Sequence, residues 1–241
     1  MKKIKLSAIS TKADSSANEL EIKATNATLR EQLSGLQYKL FAKSEKSLLV
    51  ILQGLDASGK DGTVKQVFSG VNPAGCRVKS FKVPSLEETR HDFLWRIHKE
   101  CPEKGMIQIF NRSHYEDILV PSIRQLITPR EIKKRIKAIN DFEQMLSDQQ
   151  TVVLKFYLHV SLEEQLSRIE KRKTDPDKAW KYQVSDLEEL KIRDQYIKTY
   201  ERIFHECNEI PWKIIPADQK WYRDYLVLNE LLKKLHKVIP A

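Results

Sequence analysis

The period of the hydrophobic positions changes along the chain, and each change marks an element. Leu29, Leu33, Leu36 and Leu40 recur at steps of four, three and four, the spacing of one helix face. An apolar run over 48–53 then reads as a buried strand, and 54–70 turns into a helix. The segment 76–83 reads as a second strand, 88–101 as a helix, and the short run 106–110 as a third strand. Thr128, Pro129 and Glu131 form a capping box with proline at the first helical position, opening a helix with Ile132, Ile136, Ile139 and Leu146 on one side. A fourth strand follows at 151–160, and Ser161 and Glu164 cap the next helix. Ser185 and Glu188 form a further box before a long helix carrying Leu190, Ile197, Tyr200 and Phe204 on its inner face. A last strand at 212–217 and an amphipathic helix at 221–238 complete the pattern. Residues 1–25 are polar and are expected to form an extended or mobile arm.

Strands alternating with helices imply an α/β fold in which a mainly parallel sheet is covered on both faces, a three-layer α/β/α arrangement. The pattern divides into an arm and amphipathic helix over 1–45 and one doubly wound domain over 46–241, with the basic stretch 165–185 as an insertion. A chain of 241 residues suffices for one such domain. The 42 Lys and Arg against 33 Asp and Glu leave a net charge of +9, which favours an anionic partner. Three widely spaced cysteines without a CxxC pair argue against a disulfide framework or a zinc site and for a reducing compartment. No apolar run approaches the roughly 20 residues of a membrane span. The opening residues lack the apolar core of a signal peptide, so a cytoplasmic protein with no membrane partner is expected.

Candidate chemistry concentrates after the first strand. Gly54 to Lys60 fit G-x-x-x-x-G-K, and three of only seven glycines, Gly54, Gly59 and Gly62, crowd into this turn. Such a loop lets backbone amides of residues such as Ala57 and Ser58 converge on phosphate oxygens, with the helix N-terminus adding its dipole. Lys60 can neutralise a transferred phosphoryl group. The plainer alternative is an ordinary glycine-bearing strand-to-helix turn. The position after the lysine, where a magnesium-binding hydroxyl is usual, is Asp61, and Thr63 is displaced from that role. Asp56, inside the loop, offers the hard carboxylate oxygen that Mg²⁺ favours, or could orient an attacking oxygen; its alternative is a bond to loop amides. After the third strand, Asn111 stands where a magnesium-supporting aspartate is usual, and Glu116 and Asp117 restore negative charge. Arg112 is placed to hold phosphate at the carboxyl end of the sheet, or else to pair with Glu116. His114 and Tyr115 read as packing or hydrogen-bonding residues.

The stretches LQGLDASGKDGTVKQVFSGVNP, FKVPSLEETRHDFLWRIHKECPEKG, IFNRSHYEDILV and WKIIPADQKWYRDYLV together resemble the second polyphosphate kinase family, the polyphosphate:nucleotide phosphotransferases, over about 29–235. The resemblance implies a P-loop kinase fold like that of thymidylate kinase with a helical lid, here about 164–190. It implies phosphoryl transfer between inorganic polyphosphate and nucleoside mono- or diphosphates, with AMP and ADP favoured and GDP a further acceptor. The implied cofactor is Mg²⁺, for which Mn²⁺ can substitute, and the implied assembly is a dimer or tetramer. The family loop G-x-D-x-x-G-K-D-G matches Gly54, Asp56, Gly59, Lys60, Asp61 and Gly62. Some members carry Asp-Arg-Ser at the second station; others, as here, carry Asn111-Arg112-Ser113-His114-Tyr115-Glu116, which implies that Glu116 takes the metal-ligating role. In the lid, Arg168 and Arg172 share a helix face, and Lys171, Lys173, Lys178 and Lys181 extend a cationic track suited to a polyanion. Lys82 is a further phosphate-contact candidate. By this reading Asn111→Asp should leave considerable activity.

Two other classes stay open on the sequence. An ATP-dependent nucleoside or nucleotide kinase would use the same loop, although Asp61 in place of Ser or Thr speaks against it. A nucleic-acid-binding P-loop protein would use the charge, but there is no helix-turn-helix, zinc or RNP-like pattern, so no nucleic-acid partner is expected.

Overall fold

A computed structural model describes residues 4–176, 179–181 and 185–239. Its core is a five-stranded parallel sheet, β1 (Ser47–Gln53), β2 (Cys76–Ser80), β3 (Ile107–Asn111), β4 (Thr151–His159) and β5 (Trp212–Pro216), in the order β2-β3-β1-β4-β5. Helices α1 (Glu19–Lys43), α2 (Lys60–Val67), α3 (Trp95–His98), α4 (Glu116–Ile123), α5 (Pro129–Asp148), α6 (Leu162–Thr174), α7 (Ser185–Lys191), α8 (Arg193–Glu206) and α9 (Lys220–Val238) surround it.

Every residue of β1 is buried, and its alternating side chains feed two cores. Leu49 and Ile51 pack with Ile118, Ile139, Phe142 and Phe204 from α4, α5 and α8. Leu48, Val50 and Leu52 pack with Leu33, Val67, Val227 and Leu231 from α1, α2 and α9. Each fully buried Leu or Val contributes roughly 1.5–3 kcal/mol, which is why a strand with no polar face sits at the centre. In register, Leu52 lies opposite Asn111 of β3 and Gln53 opposite Tyr157 of β4. The loops leaving β1, β3, β4 and β5 therefore meet at one carboxyl edge.

Three expectations need correction. The helix α1 starts at Glu19 and not near Leu29, because the Asn18 side chain accepts from the amides of Leu20 and Glu21, while Glu19 and Glu21 complement the helix dipole. The preceding arm is extended but not loose. Leu6 is buried, His159 Nε2 lies 3.1 Å from the Leu6 carbonyl, and Thr11 Oγ1 donates to Asp218 Oδ2 at 2.7 Å. The expected helix over 88–101 is only a 3-10 turn at Glu88–Arg90 and the single turn α3. His91 is extended, and Asp92 Oδ1 accepts from the Leu94 amide, so the chain restarts there and does not continue a helix. The expected long helix after 185 is interrupted at Ile192, which leaves the helical region and separates α7 from α8. The capping-box side chain of Ser185 lies outside the described residues. The capping box at Thr128 and Glu131 forms as expected, and Ser161 caps α6 by accepting from the Glu164 amide, while its own amide donates to Asp218 Oδ1 at 2.8 Å.

Candidate active site

The loop from Gly54 to Gly59 is bent in ways that glycine permits. At Gly54 (φ 152°) an added Cβ would lie 2.7 Å from Ser58 Oγ and 2.9 Å from the Leu158 carbonyl, and at Gly59 (φ 102°) it would collide with Arg223 Nη1. Ala57 (φ 60°) and Arg112 (φ 63°) adopt the left-handed region without being glycine, a strain that marks both turns.

Lys60 is buried and folds back over the loop, its Nζ donating to the carbonyls of Gly54 (2.7 Å) and Leu55 (3.1 Å). Burial, followed by the nearby Arg112 cation, lowers its pKa to about 8, against the pull of Asp56, Glu116 and Asp61. Arg112 Nη2 donates to Asp56 Oδ1 at 2.7 Å, so the arginine pairs with the loop aspartate and not with Glu116. Burial opposes ionisation of Asp56, but Lys60, Arg112 and Arg172 outweigh it and hold the carboxyl below its ordinary value. At Glu116 burial prevails and raises the pKa, with Asp56 adding to the rise and Arg112 and Lys60 opposing it. The Gln53 amide, oriented to satisfy both ends, donates to Glu116 Oε1 (3.0 Å) and Tyr200 Oη (3.1 Å) and accepts from Ser113 Oγ (3.1 Å). Two carboxyl groups with divergent affinities for a proton thus face two cations at the sheet edge, an arrangement suited to binding and neutralising transferable phosphate.

A family model described as Polyphosphate kinase 2 (PPK2) matches residues 16–239. The chain belongs to the polyphosphate kinase 2 family. It is 45% identical over 211 residues to the AMP/ADP-polyphosphate phosphotransferase of Meiothermus ruber, covering 87% of this chain and 79% of that protein. It is 41% identical over 204 residues to the ADP-polyphosphate phosphotransferase of Rhodopseudomonas palustris, covering 79% and 71%. Among solved structures, Polyphosphate Kinase 2 from Arthrobacter aurescens TC1 superimposes with a TM-score of 0.95 at 37% identity, covering 99% of this chain and 88% of that one. The five-stranded parallel sheet with flanking helices is accordingly the P-loop kinase fold, and this polyphosphate kinase 2 member is a transferase of the kinase class.

The remaining sequence-predicted residues are placed unequally. Asp61 Oδ1 accepts from Asn111 Nδ2 at 2.7 Å. Thr63 Oγ1 turns back to the Gly59 carbonyl at 3.2 Å, within its own helix. Gly62 lies beneath Arg223. Arg172 is half-buried and close enough to Asp56 to favour its ionised form. Arg168 spends all five N–H groups elsewhere. Its Nε donates to Glu164, Nη1 to the Ala57 and Ser58 carbonyls, and Nη2 to the Ala217 and Asp218 carbonyls. In this arrangement Arg168 clamps the phosphate loop to the loop after β5 and has no donor left for polyphosphate. Lys82 is exposed beyond β2, with its carbonyl accepting from Arg96 Nη1 at 2.9 Å. The ammonium groups of Lys178 and Lys181 lie outside the described residues. Lys173 pairs with Glu170 at 3.1 Å.

Sequence reasoning missed the support beneath the site. Lys155 of β4 is fully buried and donates to Glu143 Oε2 (2.7 Å), Tyr115 Oη (2.8 Å) and the Cys207 carbonyl (3.0 Å). Glu143 Oε1 accepts from Tyr115 Oη (2.7 Å) and lies 3.2 Å from His114 Nε2. Arg96 holds Asp117 Oδ2 at 3.0 Å, and Arg135 Nη1 donates to the Asp117 carbonyl at 2.6 Å. The segment carrying Arg112 and Glu116 is thus pinned from below by buried ionic contacts. The available signal was Lys155 itself, a charge inside an apolar strand whose neighbours on both sides are buried.

Proposed function

We propose that this protein is a polyphosphate-dependent nucleotide kinase that moves a phosphoryl group between inorganic polyphosphate and AMP or ADP. The observation that carries the reading is the cluster in which Asp56, Lys60, Arg112 and Glu116 converge on a bent phosphate loop. The names of the Meiothermus ruber and Rhodopseudomonas palustris relatives support polyphosphate as donor and AMP or ADP as acceptor. The Pseudomonas aeruginosa GDP-polyphosphate phosphotransferase, 30% identical over 175 residues, makes GDP a further acceptor to test.

In this reading the loop amides of residues 57–63 and the N-terminus of α2 receive phosphate oxygens. Lys60 exchanges its two carbonyl partners for phosphate oxygen, and Arg112 shares its charge between Asp56 and the moving group. Asp56 and Glu116 fit Mg²⁺, with Mn²⁺ as substitute. Both side chains supply the hard carboxylate oxygen that Mg²⁺ favours, and Asp56 is held ionised by Lys60, Arg112 and Arg172. When bound, the ion would neutralise oxygens of donor and acceptor phosphates. Lys171 and Arg172 of α6 would face the polyphosphate, and the segment 164–190 would act as a lid excluding water. A dimer or tetramer is the expected assembly.

Purified protein with Mg²⁺ and polyphosphate should convert AMP to ADP and ADP to ATP. Absence of product with all of AMP, ADP, GMP and GDP would contradict the proposal. Faster transfer between nucleotides alone than with polyphosphate would instead indicate an ATP-dependent kinase.

A further inference from the structure

Two departures from the ordinary P-loop pattern stand apart in the sequence and touch in the structure. An acid, Asp61, occupies the position after the loop lysine, and an amide, Asn111, ends the strand that usually ends in an acid. Asn111 Nδ2 donates to Asp61 Oδ1 at 2.7 Å. Asn111 is 9% exposed, held between Leu52 of β1 and Ser80 of β2, whereas Asp61 stands on the first turn of α2. Asp61 directly follows Lys60 and Asn111 directly precedes Arg112, so this bond and the Arg112–Asp56 pair together join the two segments that carry Asp56, Lys60, Arg112 and Glu116.

Aspartate and asparagine have the same shape. The pair contains one carboxylate and one amide, and exchanging its ends preserves the outline, the hydrogen bond and the net charge. A single replacement does not. Asn111→Asp sets two carboxylates against each other with acceptors on both sides, which reverses the sequence-based expectation that this variant keeps considerable activity. Asp61→Asn leaves a neutral bond in place of a charge-assisted one and removes a charge beside Lys60.

We propose that Asp61 and Asn111 form a single positioning unit, a carboxylate–amide latch that fixes Lys60 relative to Arg112 and can carry its carboxylate on either side. The activity arm of its test rests on the phosphotransferase reading above; the stability arm does not.

The test is a double-mutant cycle of Asp61→Asn, Asn111→Asp and the exchanged double variant, read two ways. Thermal unfolding without metal or polyphosphate should show both single variants less stable than wild type and the double variant back near it. In steady-state assays each single variant should lose about tenfold or more in kcat/KM for polyphosphate, the scale of one charge-assisted bond. The double variant should recover to within about threefold, and the Mg²⁺ concentration for half-maximal rate, raised in Asp61→Asn, should return with it. Should Asn111→Asp fail to fold, a folded, active double variant carries the same conclusion. Losses that simply add in the double variant, in stability or in rate, would overturn the latch. A wild type inactive on polyphosphate would defeat the functional reading and leave the unfolding cycle to decide the latch separately.

Discussion

At the scale of single residues, the site separates two carboxyl groups by their surroundings. Asp56 keeps its charge because Lys60, Arg112 and Arg172 outweigh its burial, whereas burial makes Glu116 hold a proton more readily than an ordinary glutamate. With Glu116 as the proposed metal ligand, protons would compete with the divalent cation over a higher pH range than at an ordinary glutamate. The Mg²⁺ concentration needed for half-maximal rate should rise as pH falls, and Glu116→Gln should need more Mg²⁺ at every pH but lose most of that dependence. Equal Mg²⁺ curves for the variant and wild type would show that Glu116 is not engaged. Lys60 titrates in the opposite sense. Its pKa of about 8 means that the ammonium is present below that value and lost above it. Polyphosphate affinity measured without metal should therefore fall as pH rises through about 8, and Lys60→Arg should flatten that limb. The loop glycines, Asp56, Lys60, Arg112 and Glu116 were all legible in the sequence, because loop and strand-end motifs keep a fixed spacing. The partners were not: that Arg112 would pair with Asp56, or Asp61 with Asn111, depends on register between strands.

Elements explain why those residues stay where they are. β1, β3, β4 and β5 were readable from apolar runs, and α5, α6 and α9 from capping residues and apolar periodicity, since both signals are local. The 88–101 segment misled because helix-compatible composition is overridden by the Asp92 side chain and the burial of Arg96 and Ile97. The spacing of Arg168 on α6 suits a phosphate contact and equally the five-bond clamp that it makes in this structure, and helix spacing alone does not separate the two. Lys155 and Glu143 join β4 to α5 beneath the turn carrying Arg112 and Glu116. Burial raises the cost of either charge alone. Lys155→Met or Glu143→Leu singly should destabilise the protein by about 3–5 kcal/mol in urea titrations, and the double variant should recover most of that loss. Additive losses would mean that the two charges do not act as a pair.

For the whole molecule, the N-terminal arm closes the carboxyl edge of the sheet. Leu6 is 1% exposed, its amide donates to Glu201 Oε1 at 2.8 Å, and Thr11 and Ala13 bind the Asp218–Gln219 turn after β5. Arg168 binds that same turn through the Ala217 and Asp218 carbonyls and continues to the phosphate loop. Leu6→Asp should therefore cost about 2–4 kcal/mol, from lost apolar burial and an unpaired buried charge. A melting temperature unchanged by this substitution would show that the arm is not part of the folded core. The +9 charge pointed to an anionic partner at this scale but could not say where it lies, because charge counts carry no position. The structure places Lys60, Arg112 and Arg172 around Asp56 at the edge where the strand ends meet.

The most direct measurement is a ³¹P NMR time course of polyphosphate, ADP and Mg²⁺ with wild type and with Asp56→Asn. Wild type should shorten the polyphosphate chain as ATP signals grow, and Asp56→Asn should do so at least about a hundredfold more slowly, the scale for losing one transition-state electrostatic contact. No ATP with the wild type, or equal rates for the two proteins, would contradict phosphoryl transfer at this cluster.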